Sequence, residues 1–257
     1  MDIRRSKNAN KETLMEKMHM KIYRKKHDYD CMVCGSELLY SNEYSRVKCV
    51  YCHGDFQANV MCKSGHYICD SCHSADANEV IDKYCKTTDK TNPMEMAMDL
   101  MKAPQINIHG PEHHFLVPAV LITSYYNLID KKEEKPKKLT LARKRARHIK
   151  GGFCGFYGNC GAAVGTGLYL SIVNETTPLS KKGWGLANKM TGSSLISIGE
   201  IGGPRCCKRN LFTALKEAAI FTEEYLNIRM YDYEIFQPQC NFHSKNNECI
   251  RLKCPYF

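Results

Sequence analysis

Between Cys31 and Cys72 the chain sets four close pairs of metal donors: Cys31-x2-Cys34, Cys49-x2-Cys52, Cys62-x3-His66 and Cys69-x2-Cys72. Each pair places two donors on one tight turn and two pairs close a tetrahedral shell, so eight donors make two thiolate-rich zinc sites. So short and polar a segment has no apolar core of its own, and its folding must follow metal binding. Two pairings are open. The first pair can join the third and the second the fourth, as in cross-braced zinc modules, or neighbouring pairs can join in sequence, as a zinc ribbon followed by a knuckle. CVYCH at Cys49 and CDSCH at Cys69 also match the Cys-x-x-Cys-His of covalent haem attachment. That chemistry needs an exported protein, and the upstream cysteines fit zinc better, leaving His53 and His73 as spare or supporting groups.

The chain has 257 residues and 15 cysteines. Its length suits one main domain plus a small module. No apolar run approaches the ~20 residues of a membrane helix, and MDIRRSKNANKETLMEK carries charge where a signal peptide needs an apolar stretch. These features predict a cytoplasmic protein with no membrane partner. In a reducing compartment the cysteines read as metal ligands or redox groups rather than disulfides, and so many thiolates suit an anaerobe.

The net charge of +10 is concentrated in two stretches, residues 1–26 and residues 131–150, and the remainder is slightly acidic. Residues 131–150 alone carry ten Lys/Arg against two Glu. A stretch of this kind attracts RNA or an acidic protein, or else forms a solvated linker and helix face.

The pattern along the chain predicts a mainly α protein: a helical core domain preceded by a small irregular zinc-binding module. The organisation reads as an N-terminal basic helix in 1–29, the Cys/His-rich module in 30–75, and a helical domain with a cysteine-rich tail in 90–257. Leu14, Met18 and Ile22 recur at helical spacing within residues 10–26. NPMEMAMDLMKA predicts a helix with Asn92 as N-cap and Pro93 in the first turn. FLVPAVLITSYYNLID reads as a buried helix with an irregularity at Pro118, and LTLARKRARHI as a basic helix. GAAVGTGLYLSIV is assigned to a glycine-rich helix packed closely on its neighbours, and residues 181–200 and KRNLFTALKEAAIFTEEYL are also helical.

Two further stretches carry chemistry. GGFCGFYGNCGAAVGTG (151–167) places Cys154 and Cys160 among glycines, and GGPRCCKRN (202–210) places Cys206 and Cys207 before a basic pair. Thiolates are the standard ligands of iron–sulfur clusters, and glycine lets the backbone bring N–H groups close to a cluster or a substrate anion. Arg205, Lys208 and Arg209 are suited to holding an anionic substrate group. Alternatively, the glycines are helix-packing positions and the cysteines small core residues.

Gly158-Asn159-Cys160-Gly161 and Pro204-Arg205-Cys206-Cys207-Lys208-Arg209-Asn210 resemble the Gly-x-Cys-Gly and Pro-Cys-x-x-Arg-Asn segments of iron–sulfur L-serine dehydratases. The resemblance implies a 4Fe-4S cluster with Cys160 and Cys206 as ligands. The family's further cysteine ahead of the Pro-Cys segment is absent here, where Ile196 lies. A third ligand then falls to Cys207, Cys154 or one of Cys240, Cys249 and Cys254, or Cys207 stays a reactive thiol. A cluster with three thiolates leaves one iron open as a Lewis acid. Over residues 105–257 the motifs HGPEHH, GGFCGFYG-x-CGAA and GEIGGPRCCKR also resemble an uncharacterised cysteine-rich family of anaerobic bacteria and methanogens.

The tail, CNFHSKNNECIRLKCPYF, offers Cys240, His243, Cys249 and Cys254 as donors for a zinc or cluster site, or as a thiol staple. In HGPEHH, any of His109, Glu112, His113 and His114 can serve as general base, bind metal, or only start a helix. The leading expectation is an iron–sulfur enzyme doing lyase or sulfur-transfer chemistry on a small anionic substrate, with Cys207 or Cys154 carrying the sulfur. The alternatives are an RNA- or protein-binding adaptor working through residues 131–150, and a zinc-stabilised scaffold without catalysis.

Overall fold

The computed structural model describes residues 31–257 except 32, 35, 70, 71 and 73–75. The expected helix over 10–26 and His73 lie outside the described residues. The chain is mainly helical with one small sheet. It divides into two compact units, whose described parts are residues 31–49 with 55–67, and residues 50–54 with 68–257.

The first unit is an antiparallel hairpin of β1 (Leu38–Lys48) and β2 (Asp55–Cys62). Leu38 pairs with Cys62 and Lys48 with Asp55, and the register breaks between Tyr40 and Ser45. The sequence pattern gave no strand here, because polar and charged side chains interrupt any alternation. Val47 and Ala58 are the buried apolar side chains of this unit besides Cys31, Cys49 and Cys62 among the described residues. A hairpin with so little apolar cover is marginal without cross-linking.

The second unit holds eight helices among the described residues. α1 (Ala77–Thr87), which has no counterpart in the sequence reading, starts at Asp76, whose side chain accepts from Glu79 N. α2 (Pro93–Met101) starts as expected: Asn92 Oδ1 accepts from Met94 N at 2.9 Å and Glu95 N at 3.3 Å. α3 (Glu112–Leu128) packs against α1, α2, α4 (Lys135–Ala146), α6 (Gly161–Val173) and α8 (Cys207–Leu226), with Pro118 within it. A helix covered from so many sides must be apolar nearly all round, and FLVPAVLI meets that demand. The short α5 (Phe153–Phe156) precedes α6, and α7 (Lys181–Ile201) packs on α6 and α8.

Glycine in α6 is a close-approach requirement. A Cβ on Gly167 would lie 2.0 Å from Thr191 Oγ1 and 2.7 Å from Ala187 O of α7. Along α7, Met190, Ser194 and Ile198 make a buried stripe four residues apart, and Ser194 Oγ meets Thr166 Oγ1 at 3.0 Å. After α8 the chain returns over it in two single-turn 3-10 segments, His243–Lys245 and Arg251–Lys253. Cys240 N donates to Tyr256 O at 2.7 Å, and the Tyr256 hydroxyl lies 3.0 Å from Thr213 Oγ1. These bonds seat the tail on α8.

Candidate metal centres and cysteine-lined cavities

The hairpin brings Cys31 and Cys34 to Cys62 and His66, with one donor atom from each residue within 4.8 Å of the others. Cys34 Sγ and Cys62 Sγ are 3.8 Å apart. His66 Nδ1 lies 3.3 Å from Cys34 Sγ, 3.4 Å from Cys62 Sγ and 3.9 Å from Cys31 Sγ. A tetrahedral shell with metal–sulfur bonds of ~2.3 Å and a metal–nitrogen bond of ~2.0 Å sets sulfurs ~3.8 Å apart and nitrogen ~3.5 Å from sulfur. These four separations are close to the edge lengths of a metal tetrahedron. Burial pushes the Cys31 thiol up to about 11. At Cys34 burial acts in the same direction, but hydrogen bonds from Ser36, His66 and Ser64 outweigh it and bring the thiol to about 6.

Cys49, Cys52, Cys69 and Cys72 form a second set within 4.8 Å, with Cys52 Sγ and Cys69 Sγ 3.8 Å apart. Cys72 N donates to Cys69 O at 2.9 Å, closing the turn that aims this pair, and Gln105 Nε2 fixes the Cys72 carbonyl at 2.9 Å. The first pair thus joins the third and the second the fourth, so of the two open arrangements the cross-braced one is present. Both sets can hold metal ions. His53 stands outside them, its ring 5.4 Å from that of Tyr84.

The two glycine–cysteine stretches meet at the N-terminal ends of two long helices. Cys160 is the N-cap residue of α6 and Cys206 that of α8, so each thiol sits where the helix dipole favours an anion. The two nevertheless line different cavities. Cys160 and Cys154 line an open cavity with Arg205, Arg209 and Asn210. Gly152 (φ 85°) and Gly202 (φ 80°) form part of its wall in the left-handed region, where a side chain would be strained. Asn210 Nδ2 donates to Cys160 Sγ at 3.4 Å. Arg209 is buried and directs Nη2 to the carbonyls of Gly202 and Pro204 at 2.7 Å each, and its buried Nε has no partner among the described residues. Arg205 is exposed at the rim.

Cys206 instead shares a narrow cavity with Cys240, Cys249 and Cys254, and Lys208 and Asn246 also line it. Asn246 Nδ2 donates to Cys206 Sγ at 3.7 Å, Phe242 N to Cys240 Sγ at 3.4 Å and Arg251 N to Cys249 Sγ at 3.4 Å. The Tyr256 amide bonds to Cys254. His243 lines the same cavity but is exposed, its Nδ1 donating to Cys240 O at 3.2 Å. Cys207 points elsewhere: burial raises its thiol to about 11, against the Gly110 amide, which bonds to it, and Arg205.

Lys208, proposed from sequence as a substrate anchor, is 1% exposed. Its Nζ donates to Ile106 O at 3.4 Å and lies 5.0 Å from the Phe242 ring centre. Burial lowers it to about 8, with Glu112 and Cys207 opposing. The HGPEHH residues serve several local roles. Glu112 accepts from Asn107 N at 2.9 Å, His113 Nδ1 donates to Gly110 O at 3.0 Å and His114 Nδ1 to Ile149 O at 2.9 Å. His109 Nε2 donates to Asn246 Oδ1 at 3.3 Å, reaching Cys206 through that amide. None of the four lines the cavity of Cys154 and Cys160. Asn210 and Asn246, which address two of the thiols, were not singled out in the sequence. Asn210 stands inside a quoted motif, whereas Asn246 gives no local signal.

Fold and sites together define a mainly helical, cysteine-rich protein with two four-donor sets able to bind metal. Residues 81–257 match a family of unknown function (DUF5714), and the chain belongs to that family. No curated protein and no solved structure matches the chain.

Proposed function

We propose that this protein is a metal-dependent enzyme that transfers sulfur to or from a small anionic substrate in the cavity of Cys154 and Cys160. The observation that carries the reading is the joint presence there of two thiols, the exposed Arg205, and Arg209 with its unpartnered Nε. Guanidinium groups suit a carboxylate, sulfonate or phosphate on the substrate. Cys154 is the sulfur carrier. Both Cys154 and Cys207 are half-buried, but Cys154 lines this open cavity, whereas Cys207 does not and burial raises its thiol. The Cys154 thiolate attacks the terminal sulfane sulfur of a polysulfide-type donor, displacing the shortened donor as its anion and forming a Cys154 persulfide. An acceptor thiolate then attacks the outer sulfur, which leaves with the acceptor as a persulfide, and Cys154 departs as a thiolate. The lyase version, to which the resemblance to L-serine dehydratases lends support, has less in its favour because no HGPEHH base lines this cavity.

In this reading the two N-terminal sets hold zinc, which their donor types and tetrahedral spacing suit, and zinc there holds the hairpin together. A partner such as RNA or an acidic protein on residues 131–150 is the second reading. Much of that charge is engaged internally: Lys135 Nζ donates to Thr88 O, Lys138 pairs with Glu175 and Lys132 with Asp89. Lys137, Lys144, Arg147 and Lys150 remain exposed for such a partner.

The test is to treat the anaerobically purified protein with a labelled polysulfide and map the label by mass spectrometry. Label on Cys154 that passes to a thiol acid acceptor, at a rate reduced ~10-fold or more in Arg205→Gln, supports the reading. Label spread over exposed thiols without transfer would remove it.

A further inference from the structure

We propose that Cys206, Cys240, Cys249 and Cys254 are the four ligands of a 4Fe-4S cluster bound between the start of α8 and the tail. This deepens the metal-dependent reading above, yet it rests on a different cavity and different thiols.

Three observations carry it. First, the four sulfurs line one cavity but are not gathered as the N-terminal donors are. Among the described residues, the groups with three or more donors within 4.8 Å are the two N-terminal sets. A single zinc ion needs sulfurs ~3.8 Å apart, whereas a cubane, whose irons each carry one thiolate, holds its cysteines wider. Second, each of the four sulfurs has its own N–H donor: the Asn246 side chain for Cys206, and the amides of Phe242, Arg251 and Tyr256, each two residues past its cysteine. Hydrogen bonds to the sulfurs are one of the means by which a protein supports and tunes such a cluster. Third, a buried cation lines the cavity from inside the protein: Lys208 is 1% exposed. Buried cations need counter-charge, and a cluster with four thiolates is a net anion.

The assignment alters the expected chemistry. Four protein thiolates leave no iron open, so the cluster is a structural or electron-carrying group and not a Lewis acid. Cys160, the other ligand implied by the resemblance, stays free for the cavity it shares with Cys154. His109, through Asn246, is a positioning residue for Cys206.

The full chain is reconstituted without oxygen using ferrous iron and sulfide, and iron, sulfide and zinc are counted. The expected result is about four irons and four sulfides per chain with a broad absorption near 400 nm. These are lost in Cys240→Ser and Cys249→Ser and kept in Cys154→Ser and Cys160→Ser. Because a serine variant can lose iron by misfolding, helical circular dichroism is followed alongside, and Asn246→Ala serves as a milder probe. It should keep the iron but shift the cluster's reduction potential, and an unmoved potential would overturn the role given to Asn246. Zinc without sulfide on these four cysteines would overturn the proposal, as would iron lost in Cys160→Ser but kept in Cys249→Ser. Iron retained with no sulfur label on Cys154 would uphold the cluster and sink the sulfur-transfer reading.

Discussion

At the scale of single residues, HGPEHH shows how one motif disperses into separate tasks. His113 is held neutral: burial pushes it well below its ordinary value, and Lys208, His114 and His109 add to the effect, against the Gly110 carbonyl. His114 is lowered as well, mainly by burial. The unfolded chain therefore takes up these protons more readily than the folded one. Stability from this source is complete above the unfolded value of ~6.5 and is lost as pH falls from there toward the lower folded values. The urea midpoint of the helical unit should drop between about pH 7.5 and pH 5.5, and His113→Asn should reduce the drop. A midpoint indifferent to pH over that range would count against a neutral, buried His113. Gly161 is similarly constrained, since a Cβ there would lie 2.4 Å from His114 Nε2.

At the scale of elements, local chemistry decided what could be read in advance. Asn92 with Pro93 announces α2, and removing the cap by Asn92→Ala should cost about 1 kcal/mol in equilibrium unfolding. A cost near zero would mean that packing of Met94, Met96 and Leu100 alone holds that helix. The apolar run of α3, the glycine-rich α6 and the periodic α8 were legible because period and composition agreed. The hairpin was not, because β1 (LLYSNEYSRVK) is mostly polar and its shape follows from the donors at its ends. α1 escaped notice because ANEVIDKYCKT follows a cysteine-rich stretch and shows only Val80, Ile81, Tyr84 and Cys85 to the core. The donor series was readable from spacing alone, but its cross-braced pairing was not. Nor was the separation of Cys160 from Cys206, because which cavity a helix N-cap faces depends on how α6 and α8 pack.

At the scale of the whole molecule, two kinds of stability coexist in one chain. The helical unit buries an extended apolar core, whereas among the described residues the hairpin unit buries only Val47 and Ala58 beside Cys31, Cys49 and Cys62, and on the zinc reading proposed above it depends on its donors. Chelation of the metal should therefore abolish amide protection in β1 and β2 while α3, α6 and α8 keep theirs, as measured by hydrogen exchange. Simultaneous loss in all five elements would show that the helices depend on the same metal. That no helix among the described residues is long and apolar enough to cross a membrane fits a core of this kind.

The cross-braced pairing also imposes a schedule on synthesis. As the chain leaves the ribosome, Cys31 and Cys34 emerge first, and the next donors to follow are Cys49 and Cys52, which belong to the other set. An ion captured at that moment is held by the wrong four thiols. Correct loading must wait for Cys62 and His66, and the second set closes only when Cys72 has emerged. Under the proposed zinc loading, an ion captured early would have to leave those four thiols before either set could close around it.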